Sequence, residues 1–270
     1  MCFYVKWHFG VSLATAHFHF FIRQTLHFLN KSIYLLLDLK PPQVIKDFFK
    51  LFFPDNCPGC GQSFLRGEKH VCLQCLYGLH KTQYHNDPEN PIAKNFWGKT
   101  DFVAVTAVYF FQKGQVLQRL LHQLKYNGCK EIGIMLGRQM AIELFQASAF
   151  SNADIIIPVP LHPGKLLQRG YNQSEMIALG IAENWQKEVH TATLKRKKYT
   201  QSQTHKARYE RFENTESVFE LDDAKPYENK HVLLVDDVIS TGSTIISCAE
   251  AFSGINGCKI SMASVAAPHR

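Results

Sequence analysis

Two adjacent carboxylates, Asp236 and Asp237, stand between an apolar run and a short loop rich in hydroxyl groups. The apolar run, residues 232–235, is typical of a strand that is buried on both faces of a parallel sheet. Apolar residues at helical spacing follow the loop, so the pattern predicts a helix that begins there. Open α/β sheets bind ligands at the carboxyl ends of their strands, and we therefore predict a binding site at this loop.

The residue types at this site suit a phosphorylated sugar. N–H groups at a helix N-terminus attract an anion, and the hydroxyl groups of the loop can add donors. Gly242 would let the main chain approach a phosphate without a side chain between them. Ionised carboxylates accept hydrogen bonds, so Asp236 and Asp237 suit sugar hydroxyls or a metal ion. The alternative is a strand that ends in a solvated acid pair, followed by an ordinary helix cap.

Residues 232–244 resemble the signature of the type I phosphoribosyltransferases. The resemblance implies that two acids, here Asp236 and Asp237, hold the ribose 2′- and 3′-hydroxyls of phosphoribosyl pyrophosphate (PRPP). It implies that the following loop holds the 5′-phosphate, and that Mg²⁺ bridges the pyrophosphate and the ribose hydroxyls. By position, the PRPP-binding residues of this segment are Val238, Ser240, Thr241, Gly242, Ser243 and Thr244. The second substrate is left open.

A second strand is predicted at residues 154–159, where a Pro-Val-Pro-Leu-His-Pro run ends it. Proline cannot lie in a central ladder, so a rigid loop must leave the sheet here, again at a carboxyl end. The motif Gln-Arg-Gly-Tyr-Asn-Gln follows at 168–173, ahead of a predicted helix with Gly180 facing inward. From the residues alone, Asn172 could cap that helix and Gln173 could face solvent.

Two Cys-x-x-Cys units are separated by eleven residues, and their members are Cys57, Cys60, Cys72 and Cys75. Four thiolates at this spacing can close a tetrahedron around Zn²⁺, and a site filled by four protein ligands is structural. Disulfides or free thiols are the alternative, although paired units favour metal thiolates in a reducing cytosol. We expect zinc loss to unfold this module alone and to leave the carboxy-terminal sheet intact.

Taken together, the cysteine units and the proline-rich block closely resemble the ComF family, which is linked to DNA uptake in competent bacteria. The resemblance covers about residues 45–268. It implies a pyrophosphate site, whose residues by position are Pro160, Leu161, His162, Lys165, Arg169, Asn172 and Gln173. The implied fold is α/β of the type I phosphoribosyltransferase class, a mostly parallel sheet flanked by helices, preceded by a small zinc ribbon with four cysteine ligands.

Residues 195–211 contain seven Lys or Arg and one Glu, with two tyrosines between them. Solvated surface, a lid over the substrate and a site for single-stranded nucleic acid all fit this composition. The ComF resemblance implies a mobile loop here and maps onto Gln201, Ser202, Arg208, Arg211 and Asn214. Lys125 and Tyr126 close another predicted helix, and we expect both to be surface residues.

With 270 residues, 46% of them hydrophobic, the chain can bury a large core in one main domain and a small one. We predict an extension over 1–44, a zinc-ribbon module over 45–85, a linker over 86–100 and a phosphoribosyltransferase-like domain over 101–270. Residues 1–39 fit a peripheral extension translated from an upstream start, or an interfacial helix. No run of about 18 uncharged apolar residues occurs, so we predict no membrane span and a cytoplasmic protein.

The predicted function is transfer of ribose 5-phosphate from PRPP to an acceptor, a pentosyl transfer that releases pyrophosphate and is connected to DNA uptake. The alternative is a non-catalytic protein of the same fold that binds single-stranded DNA during natural transformation. A net charge of +7 fits either ligand and also an ordinary soluble protein. The expected partners are PRPP or a related ribose phosphate, single-stranded DNA, and either a second copy of the chain or a component of the competence machinery.

Overall fold

A five-stranded parallel sheet forms the centre of the fold in the computed structural model, which describes residues 55–196 and 218–268. The strands are β1 (Ala104–Phe111), β2 (Ile155–Pro158), β3 (Glu188–Val189), β4 (Leu194–Arg196), β5 (Phe219–Leu221), β6 (His231–Val238) and β7 (Lys259–Pro268). The central sheet has the order β1-β7-β6-β2-β3, and β4 pairs with β5 as a separate antiparallel ribbon. Strand β6 therefore continues through the acid pair and ends at Val238.

Helices cover both faces of this sheet. They are α1 (Leu73–Tyr77), α2 (Pro91–Lys94), α3 (Val116–Tyr126), α4 (Lys130–Leu144), α5 (Ser148–Ser151), α6 (Pro163–Arg169), α7 (Gln173–Trp185) and α8 (Ser243–Glu250), with 3₁₀ turns at Tyr84–Asn86 and Lys225–Tyr227. Leu233 and Val235 of β6 face a core built with α3, α4 and α7, whereas Val232 and Leu234 face a core built with α2 and α8. Both faces are apolar, and this confirms the predicted α/β fold.

The order of the strands places a crevice between β2 and β6. From β2 the chain crosses through α7 to β3 on one side, and from β6 it crosses through α8 to β7 on the other. Pro158 of β2 is paired with Val235 of β6, so these two strands end side by side. A point at which the strand order reverses is the usual ligand site of such sheets.

Two glycines allow α4 and α7 to pack closely. A Cβ at Gly137 would collide with the carbonyl oxygen of Ile177, and a Cβ at Gly180 would collide with that of Ile134. Gly180 therefore faces inward, as predicted. The close approach fixes α7, whose first turn lies beside the acid pair of β6.

Residues 86–100 were predicted as a linker on their content of Asn, Asp, Pro and Gly, but they pack into the core. The buried Asn90 accepts hydrogen bonds from the N–H groups of Ile92 and Ala93, both at 3.0 Å, and thereby caps α2. Its Nδ2 donates to the carbonyl of Val105 at 2.8 Å, which ties the segment to β1. The buried side chain of Phe96 then joins the core beside α8. The predicted domain boundaries themselves stay predictions.

Several predictions fall on residues outside the described ranges. The mobile loop implied for Gln201, Ser202, Arg208, Arg211 and Asn214 lies in 197–217, and the predicted extension lies in 1–54. Within 55–196 and 218–268, no helix is both long enough and apolar enough to cross a membrane.

Candidate functional site

A cavity of about 430 Å³ opens where β2 and β6 end. It brings together most of the predicted site residues, which are Pro160, Leu161, His162, Lys165, Arg169, Gln173, Asp236, Asp237, Val238, Ser240, Ser243 and Thr244. Thr241, Gly242 and Asn172 are not part of its lining. A second cavity of similar volume lies at the amino ends of the strands, beside Asp154, His231 and Lys259, and contains none of the predicted residues.

The two acids face this cavity in different surroundings. Oδ1 of Asp236 accepts hydrogen bonds from the hydroxyl of Ser174 and from the N–H of Asp237, both at 2.8 Å. Oδ2 of Asp237 lies 2.8 Å from the ammonium of Lys125. Burial and the adjacent charge of Asp237 raise the pKa of Asp236 to about 7. The site therefore holds one carboxylate paired with a cation and one that neutral donors hold.

Lys125 and Tyr126 were expected on the surface, and for Lys125 that prediction is wrong. Its side chain is 24% exposed, lines the cavity and pairs with Asp237, whose side chain is 14% exposed. Tyr126 is exposed, but its ring lies 5.3 Å from the guanidinium carbon of Arg169. The end of α3 is thus one wall of the site.

The loop after β6 presents the start of α8 to the cavity. Ser243 and Thr244 line the cavity, and the hydroxyls of Thr241 and Ser243 lie 3.2 Å apart. Gly242 caps the helix with φ 79° and has no side chain to accept the N–H groups of the first turn. These N–H groups and hydroxyls can therefore donate to an anion, as predicted for the 5′-phosphate.

The reason for Gly242 differs from the prediction. A Cβ at this position would lie 2.6 Å from the ring of Phe96, on the side of the core. The glycine is therefore required by its left-handed backbone and by Phe96. The predicted role, close approach of the backbone to a phosphate, has no support in this packing.

The loop after β2 is rigid, as its prolines predict. Val159 donates its N–H to Val235 at 2.8 Å, and Nδ1 of His162 accepts from the N–H of Gly164 at 3.2 Å to cap α6. Arg169 ends α6, and its Nη1 donates to Oε1 of Gln173 at 2.7 Å. Among the described residues, Nε of Arg169 is buried and has no hydrogen-bond partner. A buried donor without a partner fits a site for an anion such as pyrophosphate.

Asn172 and Gln173 support this loop from behind. Oδ1 of Asn172 accepts from the N–H of Ser174 at 3.1 Å, and its Nδ2 donates to the carbonyl of Val159 at 2.9 Å. Asn172 is therefore a helix cap that also fixes the loop after β2, which is the structural alternative left open above. Gln173 is buried, so the solvent-exposed alternative is wrong for it.

Comparison with known proteins assigns the family. Residues 171–270 match the phosphoribosyl transferase domain. The chain is 30% identical over 202 residues to DNA utilization protein YhgH of Shigella flexneri, across 72% of this chain and 82% of that protein. It is 36% identical over 95 residues to Competence protein F of Haemophilus influenzae, across 34% of this chain and 41% of that protein. This chain belongs to the ComF family.

The ComF chain also carries the predicted cysteine cluster. The sulfur atoms of Cys57, Cys60, Cys72 and Cys75 all lie within 4.8 Å of one another, and three of the four residues are buried. All four thiols are free, which removes the disulfide alternative. Sulfurs around a tetrahedral zinc ion lie roughly 3.8 Å apart for Zn–S bonds of about 2.3 Å. The cluster can therefore hold a metal ion such as Zn²⁺.

Backbone N–H groups prepare this cluster for a cation. The N–H groups of Gly59 and Cys72 lie 3.4 and 3.3 Å from the sulfur of Cys57. Burial opposes ionisation of Cys57, but these hydrogen bonds outweigh it and hold the pKa of the thiol below its ordinary value. A thiolate at this position is the form that binds metal.

Sequence reasoning missed two members of the ComF site, Lys125 and Ser174. Ser174 lies in the first turn of α7, directly after the Asn172 cap, and its hydroxyl donates to Asp236. A small hydroxyl residue next to a recognised motif was a signal that could have suggested a site residue. Lys125 carried no such signal, because its partner Asp237 is distant in the sequence.

Proposed function

We propose that this protein binds PRPP, or a related ribose phosphate, in the cavity between β2 and β6 and transfers ribose 5-phosphate to an acceptor. One observation carries the proposal. The acid pair of β6 and the N-terminus of α8 line the same cavity, at the point where the strand order reverses. A vicinal diol and a phosphate at opposite ends of one sugar would match these two groups.

Each group then has a role in holding the sugar. Asp236 and Asp237 accept hydrogen bonds from the 2′- and 3′-hydroxyls. The N–H groups of the first turn of α8 and the hydroxyls of Ser243 and Thr244 donate to the 5′-phosphate. With both ends held, C1′ of the ribose lies between the acid pair and the loop after β2.

The leaving group would lie against that loop. The bond between C1′ and a pyrophosphate oxygen breaks, pyrophosphate leaves with the electron pair, and a lone pair of the acceptor forms the new bond to C1′. The acceptor then loses its proton. Lys165 and Arg169 would stabilise the charge of the departing pyrophosphate. Carboxylate and phosphate oxygens are hard donors that suit Mg²⁺, which would supply further charge stabilisation when bound.

The first test is PRPP binding to the Asp237→Ala variant, measured by calorimetry in the presence of Mg²⁺. We expect affinity to fall by roughly a hundredfold, since the loss of hydrogen bonds to a charged group costs on the order of 1.5–3 kcal/mol. Asp101→Ala is the control, because it removes an exposed acid ahead of β1. Equal affinity in the Asp237→Ala variant and the wild-type protein would reject this site. Release of pyrophosphate with purines, pyrimidines and small amines then identifies the acceptor class.

The names of the relatives, DNA utilization protein and Competence protein F, support a setting in DNA uptake. They also favour a second candidate, a non-catalytic protein of this fold that binds single-stranded DNA. Within the described part of the basic segment, Lys195 already pairs with Asp222. Binding of a labelled oligonucleotide across a salt series separates the candidates, since affinity that stays flat with salt rejects DNA binding.

The remaining roles belong to the same proposal. Zn²⁺ in the cysteine cluster would be structural, because four thiolates leave no open coordination position. The protein would act in the cytoplasm, either with a second copy of itself or with a component of the competence machinery.

A further inference from the structure

We propose that Lys125 is a positioning residue that exchanges partners when the sugar phosphate binds. In the free site its ammonium holds Asp237, and on binding it moves to the pyrophosphate as the ribose hydroxyls take that carboxylate. This inference rests on the proposed function and adds a residue that neither the motifs nor the resemblance assigned. Its basis is the 2.8 Å contact between Nζ of Lys125 and Oδ2 of Asp237 inside the cavity.

The acid pair needs a cation when no ligand is bound. Two carboxylates on consecutive residues repel each other, and the partners of Asp236 are the neutral hydroxyl of Ser174 and the N–H of Asp237. Lys125 supplies the positive charge, from a side chain that is 24% exposed. An ammonium on a flexible four-carbon stem is suited to a contact that must later be released.

Ligand binding would then compete with this ion pair. The ribose diol brings hydroxyl donors to the same carboxylate oxygens that Lys125 contacts, so the ammonium must leave or share them. A partly buried ammonium is costly without an anion close by. The sugar hydroxyls alone cannot replace Asp237 as a partner for Lys125, because they carry no charge.

The pyrophosphate is the anion within reach. Lys125, Lys165 and Arg169 line one cavity, and the ring of Tyr126, the next residue after Lys125, contacts the guanidinium of Arg169. The end of α3 therefore connects the acid pair with the cations of the proposed pyrophosphate loop. Transfer of Lys125 from Asp237 to a phosphate oxygen would keep the ammonium paired throughout.

Two ligands distinguish this exchange from a purely structural role. PRPP has the diol, the 5′-phosphate and the pyrophosphate, whereas ribose 5-phosphate lacks the pyrophosphate. In Lys125→Met, we expect PRPP affinity to fall by at least tenfold, because the pyrophosphate loses a partner. Affinity for ribose 5-phosphate should be equal to or higher than that of the wild-type protein, because the competitor for Asp237 is gone.

Calorimetry with both ligands on the full chain provides the test. Lys125→Arg should recover most of the PRPP affinity, and Lys259→Met removes the same charge at the opposite end of the sheet as the control. Equal losses for both ligands in Lys125→Met, or unchanged PRPP affinity, would overturn the exchange and leave the proposed function standing. A wild-type protein that binds neither ligand would overturn the proposed function, and the exchange with it.

Discussion

At the scale of single residues, the two acids of the site differ because of their neighbours. Asp237 has a cation beside it, whereas Asp236 is held by a hydroxyl and an N–H and lies next to the charge of Asp237. Burial and that charge raise the pKa of Asp236 to about 7, above an ordinary value of about 3.9. The site is thus arranged for accepting hydrogen bonds at a cost to the stability of the empty protein.

The raised pKa of Asp236 predicts a pH-dependent stability. Between about pH 4 and pH 7 the folded protein binds this proton more tightly than the unfolded chain, so this contribution to stability decreases as pH rises through that window. Above about pH 7 the ionised group destabilises the fold fully. Asp236→Asn, which keeps an oxygen for Ser174, should therefore raise the melting temperature at pH 8 by several degrees, since 1 kcal/mol corresponds to about 2–4 °C at this size.

Thermal denaturation of the variant and the wild-type protein at pH 5 and pH 8 provides the check. The gain from Asp236→Asn should be small at pH 5, where the wild-type group is already protonated. Comparison at each pH cancels any effect of acid on the cysteine cluster. The same gain at both values would show that Asp236 titrates near its ordinary pKa.

At the scale of elements, the start of α8 depends on a contact with a segment that precedes the sheet. Gly242 has a positive φ and faces the ring of Phe96, which follows α2. The same small segment is fixed by Asn90 to β1. The phosphate loop is therefore held by residues 86–100, the segment that the sequence suggested was only a connection.

This contact predicts that Gly242→Ala destabilises the protein more than a positive φ alone explains. Gly254→Ala is the matched control, because Gly254 has φ 82° and open space where a Cβ would lie. Both variants lose about 1–2 kcal/mol to the left-handed backbone. Gly242→Ala should lose about 1–3 kcal/mol more through overpacking against Phe96. Chemical denaturation measures both, and equal losses would mean that Phe96 gives way freely.

At the scale of the whole molecule, the cysteine cluster shares a core with the main domain. Cys57, Cys72 and Cys75 lie in the same apolar cluster as α3 and α4. Nε of Arg119 on α3 donates to the carbonyl of Gly59 at 2.5 Å. The segment just after the cluster also forms backbone hydrogen bonds with β1, at 2.9 and 3.0 Å. These contacts do not support the expectation of a module that unfolds alone.

Removal of zinc should therefore destabilise more than residues 55–79. With a strong chelator we expect one cooperative melting transition that falls by roughly 10 °C or more, since structural zinc contributes on the order of 10 kcal/mol to small modules. Hydrogen exchange should rise in α3 and β1 as well as around the cysteines. The unaffected region should be α8, which packs in the other core. Faster exchange confined to the cysteine segment would restore the modular view.

The sequence by itself determined the features whose chemistry lies in consecutive residues. The apolar run followed by Asp236 and Asp237 predicted a buried strand that carries acids to a ligand edge, and the following loop predicted a helix start. The cysteine spacing predicted a metal cluster in the same way. Such signals survive in one dimension because strand burial, turn geometry and ligand spacing are local properties of the chain.

Only the tertiary structure decided which residues complete the site. Lys125 meets Asp237 because α3 packs on the face that β6 also borders, and Gly242 meets Phe96 because residues 86–100 fold into the second core. Gln173 is buried for a similar reason, since α7 is drawn against α4 at two glycines. These contacts join residues far apart along the chain, and no local pattern of residue types encodes where two packed elements meet.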